Sequence, residues 1–102
     1  MLAKSLDGRV AGFVHTSPMN AVAGFDPRGL RSRNLIVLHG LDACRVTKPS
    51  SAKASNSQYG TELIEMSGGK STGDDCEAFS YHGYNGIEQD TVARIKAWIA
   101  AR

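Results

Sequence analysis

Four consecutive apolar residues, Leu35-Ile36-Val37-Leu38, stand between Asn34 and His39-Gly40 with no polar side chain among them. A strand with one wet face alternates apolar and polar residues, whereas a strand covered on both faces does not. The stretch Asn34–Gly40 therefore predicts a strand buried on both sides, as in a parallel sheet, where each strand must be joined to the next by a crossover rather than a hairpin.

The rest of the chain fits that frame. Arg9–Thr16 carries Val10, Phe13 and Val14 and stops before Ser17-Pro18, so it reads as a strand. Gly60–Gly69 carries Leu63, Ile64 and Met66 and stops at a double glycine, so it reads as another. Helical signals lie between and after. Thr47–Gly60 opens on Thr-x-Pro and closes on glycine, the order in which helices begin and end. Ile87–Arg102 is amphipathic: Val92, Ile95, Trp98 and Ile99 recur at spacings of three and four and are expected to share the sheet-covering face. Glu88 and Asp90 stand in its first turn and Lys96 and Arg102 late, as the helix dipole favours, with Asn85 as the expected cap. Pro18–Arg33 is a long connection in which one helical turn is expected around Met19–Ala23. The order strand, loop, strand, helix, strand, loop, helix specifies an α/β fold with a parallel sheet of about three strands and covering helices.

The chain has 102 residues, 41% of them hydrophobic, enough for one domain spanning 1–102 with a modest core. Twelve basic and ten acidic residues are interspersed, for a net charge of +2, with no basic block, which argues against a nucleic-acid partner. No apolar run approaches the ~20 residues of a membrane span, and Met1–Leu6 lacks the apolar stretch of a secretory peptide. No cofactor or metal is expected. Two cysteines do not by themselves decide the redox compartment.

In an open parallel sheet, functional residues gather beyond the carboxyl ends of the strands. Two stretches belong there: His39–Arg45 and Gly68–Gly83. If their strands are neighbours, Asp42 and His82 emerge at one edge and meet. A carboxylate beside an imidazole fixes its tautomer and direction and stabilises the imidazolium. The plainer alternatives are that Asp42 forms a turn after Gly40-Leu41 and that His82 is a packed loop histidine. His39 and His15 are read as strand-end histidines without a catalytic role.

Three segments together, NLIVLHGLDACRVTKPSSA, YGTELIEMSGG and YHGYNGIEQDTVARIKAWI, resemble the C-terminal part of an α/β-hydrolase. GRVAGFVHTSP resembles the strand before them, so the likeness runs from about Gly8 onward. The resemblance implies that Asp42 is the triad acid and His82 the triad base of a site for ester or amide-type substrates. It also implies a nucleophile in Gly-x-Ser-x-Gly on a strand-to-helix elbow before Gly8. Only a few residues stand there, so the chain is expected to be inactive alone. A non-catalytic α/β interaction domain, self-associating through an exposed sheet edge, is the other reading.

Gly69-Lys70-Ser71-Thr72-Gly73 matches the elbow as a string, but no apolar helix follows Ser71. Gly69-Lys70-Ser71 is not a phosphate loop either, since neither Ile64 nor Glu65 supplies the earlier glycine. If the two rim loops meet, Cys44 and Cys76 meet too. They then form a disulfide, with Cα atoms about 4.4–6.8 Å apart, or a zinc site with His39 and His82. A disulfide would imply a secreted or periplasmic protein and its absence a cytoplasmic one.

Overall fold

β2 (Arg33–His39) lies in the middle of a parallel sheet with β1 (Gly12–Thr16) on one side and β3 (Glu62–Met66) on the other. The computed structural model to which these elements belong describes residues 2–101. The fold is a small α/β architecture. Leu35, Ile36, Val37 and Leu38 are all almost fully buried, but alternate residues face different layers. Ile36 and Leu38 pack with Ala3, Val22, Phe25 and Ala52, with Phe13 and Leu63 alongside. Leu35 and Val37 pack with Met66 and Tyr84, with Val14, Ile64, Ile95 and Trp98 alongside. The unbroken apolar run thus results from burial on both faces.

The first layer is covered by α2 (Pro49–Tyr59) and by two 3-10 turns, Asn20–Gly24 and Pro27–Gly29. α2 has a weak apolar stripe, and its buried residues are only Ala52 and Ser55. It is held by polar contacts instead. Ser55 Oγ donates to Phe25 O at 2.7 Å, and the Ser55 and Thr61 hydroxyls are 2.6 Å apart. Gly60 ends the helix at φ +73°, a left-handed position that glycine takes without strain. The start of the helix is capped from outside. Asn20 Oδ1 accepts from Lys48 N at 2.7 Å and Ser51 Oγ at 3.2 Å, and Thr47, first in the expected Thr-x-Pro opening, makes no capping bond.

The second layer is α3 (Glu88–Ala100), and here the expected face needs correction. Thr91 is buried, and Ile87, Ile95 and Trp98 pack against the sheet. Val92 and Ile99 are about half exposed, at 49% and 52%. A three-stranded sheet is narrow, so it covers one stripe of the helix and leaves the flank open. Thr91 tolerates burial because its hydroxyl donates to Ile87 O at 2.8 Å. Asn85 is not the cap: its side chain donates to Phe79 O, Ile87 holds the cap position, and Glu88 Oε1 accepts from Gly86 N.

β1 begins at Gly12 rather than Arg9, and Val10 lies outside it, 45% exposed. Asp7 causes the late start. Its carboxylate takes the amides of Arg31 and Ser32 at 2.8–2.9 Å, bonds that also hold its pKa low, and the chain turns at Gly8 with φ +76°. A four-residue helix, α1 (Leu2–Ser5), precedes the turn and buries Ala3. It is too short to leave a periodic signal. No helix among the described residues is long and apolar enough to cross a membrane.

Candidate functional site

Beyond the carboxyl end of β2 the chain stays tied to β3 and then turns. Gly40 N donates across to Met66 O, and Asp42 N donates back to His39 O, closing a tight turn. The Asp42 side chain is 2% exposed, and each of its oxygens is used. Oδ1 accepts from Cys44 N at 2.9 Å. Oδ2 accepts from the Thr47 hydroxyl at 3.0 Å and faces His82 Nδ1 at 3.1 Å. The rim therefore brings Asp42 and His82 together, as the strand order predicts.

His82 sits in the 3-10 turn Tyr81–Gly83, with its side chain 23% exposed. Nδ1 points at Asp42 and Thr47, and no described residue bonds Nε2. Because Oδ2 can only accept, the bonding pattern places a proton on Nδ1 and leaves Nε2 without a protein partner among the described residues. The turn is packed so closely that a Cβ at Gly83 would overlap the Ala78 carbonyl.

The backbone of His82 is anchored as well. Ser17 Oγ lies 2.8 Å from His82 O and 2.9 Å from the Tyr84 hydroxyl. Tyr84 in turn donates to Val37 O at 2.8 Å. Ser17 has φ +41°, costly for a residue with a side chain, and Tyr84 has φ +58°. Both are held there by this buried knot, which ties the end of β1 to the middle strand and the His82 turn. Burial, chiefly, pushes the Tyr84 hydroxyl pKa above its ordinary value of 10.0.

His39 is fully buried at the end of β2. Nδ1 accepts from Leu41 N at 3.0 Å, so the proton is on Nε2, which donates to Gly68 O at 2.7 Å. Its ring stacks on Tyr81, with centroids 4.5 Å apart. It staples the two rim loops, and both its nitrogens are taken. His15 Nε2 lies 2.9 Å from Asn34 Oδ1, with its ring beside Phe13 and Phe25.

Cys44 and Cys76 form a disulfide, with Cα atoms 4.7 Å apart. The zinc alternative falls with it, because the two sulfurs bond one another and His39 is committed to backbone. Among the described residues no cluster of three metal-ligating side chains is present. Ser71 lies on an exposed loop with no helix behind it, so it is not an elbow. The residues that sequence reasoning missed are Thr47, which looked like part of a helix opening, and Ser17 with Tyr84. Only the pre-proline serine and the aromatic two residues past His82 could have hinted at the latter. Compared with known proteins, the chain matches no family model, no curated protein and no solved structure.

Proposed function

We propose that Asp42 and His82 are the acid and base of a nucleophile–His–Asp site for hydrolysis of an ester or amide-type substrate, in a chain equivalent to the C-terminal part of an α/β-hydrolase. The observation that carries this reading is the buried Asp42 carboxylate 3.1 Å from His82 Nδ1, with no described residue bonding Nε2 and the His82 side chain 23% exposed. In such a site Nε2 takes the proton of an attacking serine and returns it to the leaving group, while Asp42 holds the imidazole. None of the described hydroxyls bonds Nε2, in keeping with a nucleophile supplied from outside this set of residues. The Cys44–Cys76 disulfide supports an oxidising compartment, secreted or periplasmic, for the protein.

Two measurements test this. The chain alone is expected to give no burst with an activated ester, since imidazole without a positioned nucleophile and oxyanion hole achieves little. A stoichiometric acyl group on Ser71 would overturn it. The reading of the codons upstream of Met1 is the second. An in-frame Gly-x-Ser-x-Gly is expected there, and the extended chain should hydrolyse esters in a way that His82→Ala and Asp42→Asn abolish. Activity indifferent to both substitutions would end the proposal.

A second reading, an interaction domain that pairs with another copy of itself, is favoured by the open edge of β1. Ser17 N donates to Val37 O, so by the two-residue alternation of a strand the amides of Gly12, Val14 and Thr16 turn outward, unpaired. β1 carries no Asp, Glu, Lys or Arg, whereas β3, on the other edge, carries Glu62 and Glu65. A mostly apolar groove of about 450 Å³, lined by Ala11, Gly12, Val14, Trp98 and Ile99 with Arg33 as its one charged residue, runs beside it. An antiparallel pair centred on Val14 would match every outward group with its copy. Light scattering is expected to show a dimer that Thr16→Pro converts to monomer, because proline removes one outward donor and no bond to β2. A monomer at every concentration would rule the dimer out.

A further inference from the structure

Thr47 stands one residue before the cap of α2, at the Thr-x-Pro stretch that reads in the sequence as a helix opening. Here the capping falls to Asn20, and the Thr47 hydroxyl is turned the other way. It is 3.0 Å from Asp42 Oδ2 and 3.0 Å from His82 Nδ1, while those two atoms are 3.1 Å apart. Three polar atoms thus form a nearly equilateral triangle, and Thr47 itself is buried.

The protons in the triangle can be counted. Asp42 Oδ2 brings none, Thr47 brings one and His82 Nδ1 brings one. The arrangement that satisfies all three has both protons directed at Oδ2, with the Thr47 oxygen as second acceptor beside Nδ1–H. Asp42 then has three donors: Cys44 N–H, Thr47 O–H and His82 N–H. No lysine or arginine among the described residues pairs with this buried carboxylate. Only the Thr47 donor reaches Oδ2 without depending on the histidine. It keeps that oxygen aimed while the imidazole exchanges protons at its other nitrogen.

We propose that Thr47 is the positioning residue of the pair, holding Asp42 and His82 in one geometry through a single hydroxyl. The inference rests on the reading of Asp42 and His82 as an acid–base couple, and the test separates the two. In chain labelled with ¹⁵N-histidine, the His82 Nδ1 proton is expected to be visible by NMR and slow to exchange with water. Thr47→Val should speed that exchange by about tenfold or more, the scale of one lost hydrogen bond, and Thr47→Ser should restore it. The His39 Nε2 proton, fixed to Gly68 O, is the internal control for folding and should not change.

An unchanged His82 exchange rate in Thr47→Val, with the His39 signal intact, overturns the role of Thr47 and leaves the Asp42–His82 couple standing. A wild-type His82 carrying its proton on Nε2, with Nδ1 bare, overturns the couple itself and the function built on it. If Thr47→Val loses the His39 signal, Thr47→Ser decides: retention of slow exchange by the smaller hydroxyl supports the role, and its loss in a folded chain refutes it.

Discussion

Replacing Cys44 and Cys76 together by serine is expected to lower stability by about 3–4 kcal/mol. The bridge closes a span of 32 residues, and cross-linking a loop of that size removes about this much chain entropy from the unfolded state. For a chain near 100 residues the loss corresponds to a fall in Tm of roughly 10–30 °C. The bridge also joins the loop after β2 to the segment leading to His82, and Cys44 N is itself a donor to Asp42. Loosening is therefore expected first at this rim. Urea denaturation of oxidised and reduced chain, with the double serine variant as a third curve, measures the effect. Superposed curves for the oxidised and reduced forms would refute it.

Leu35→Ala and Ile36→Ala are each expected to cost about 2–5 kcal/mol, the range for emptying a closed core position. The equality of the two matters more than the size. Adjacent residues on a strand point to opposite layers, so in a sheet with one wet face one of the pair would be nearly neutral. Here Leu35 packs beneath α3 and Ile36 beneath α2, and both are 0–1% exposed. Since small domains are stable by about 5–15 kcal/mol, either variant should unfold at markedly lower denaturant. A large loss from one and less than about 0.5 kcal/mol from the other, the scale of a surface change, would mean that one layer is not closed.

This two-sided burial is also why the sheet was legible. The unbroken run Leu35–Leu38 states its environment without reference to any other part of the chain. The α3 face was not legible, because periodicity reports which residues are apolar and not how wide a surface they meet. Val92 and Ile99 satisfy the helical spacing and still project past a narrow sheet, while Thr91 is accepted inside through a bond within its own helix. Asp42 and His82 could be found because strand order alone carries them to one rim. Thr47 could not, since the same residue type before a proline marks a helix start, and only the competing side chain of Asn20, 27 positions earlier, frees it.

Trp98 is the single tryptophan of the chain. Arg33 lies 4.0 Å over its ring, and its indole N–H donates to Glu62 Oε1, beside the amino ends of the strands and away from the Asp42 rim. Intrinsic fluorescence thus gives a built-in reporter for detachment of the last helix. The stacked Tyr81 and the adjoining disulfide supply a near-ultraviolet dichroism signal from the opposite end. The molecule carries two optical probes at its two poles, so overlaying the two melting traces shows directly whether it comes apart as one cooperative unit or in stages.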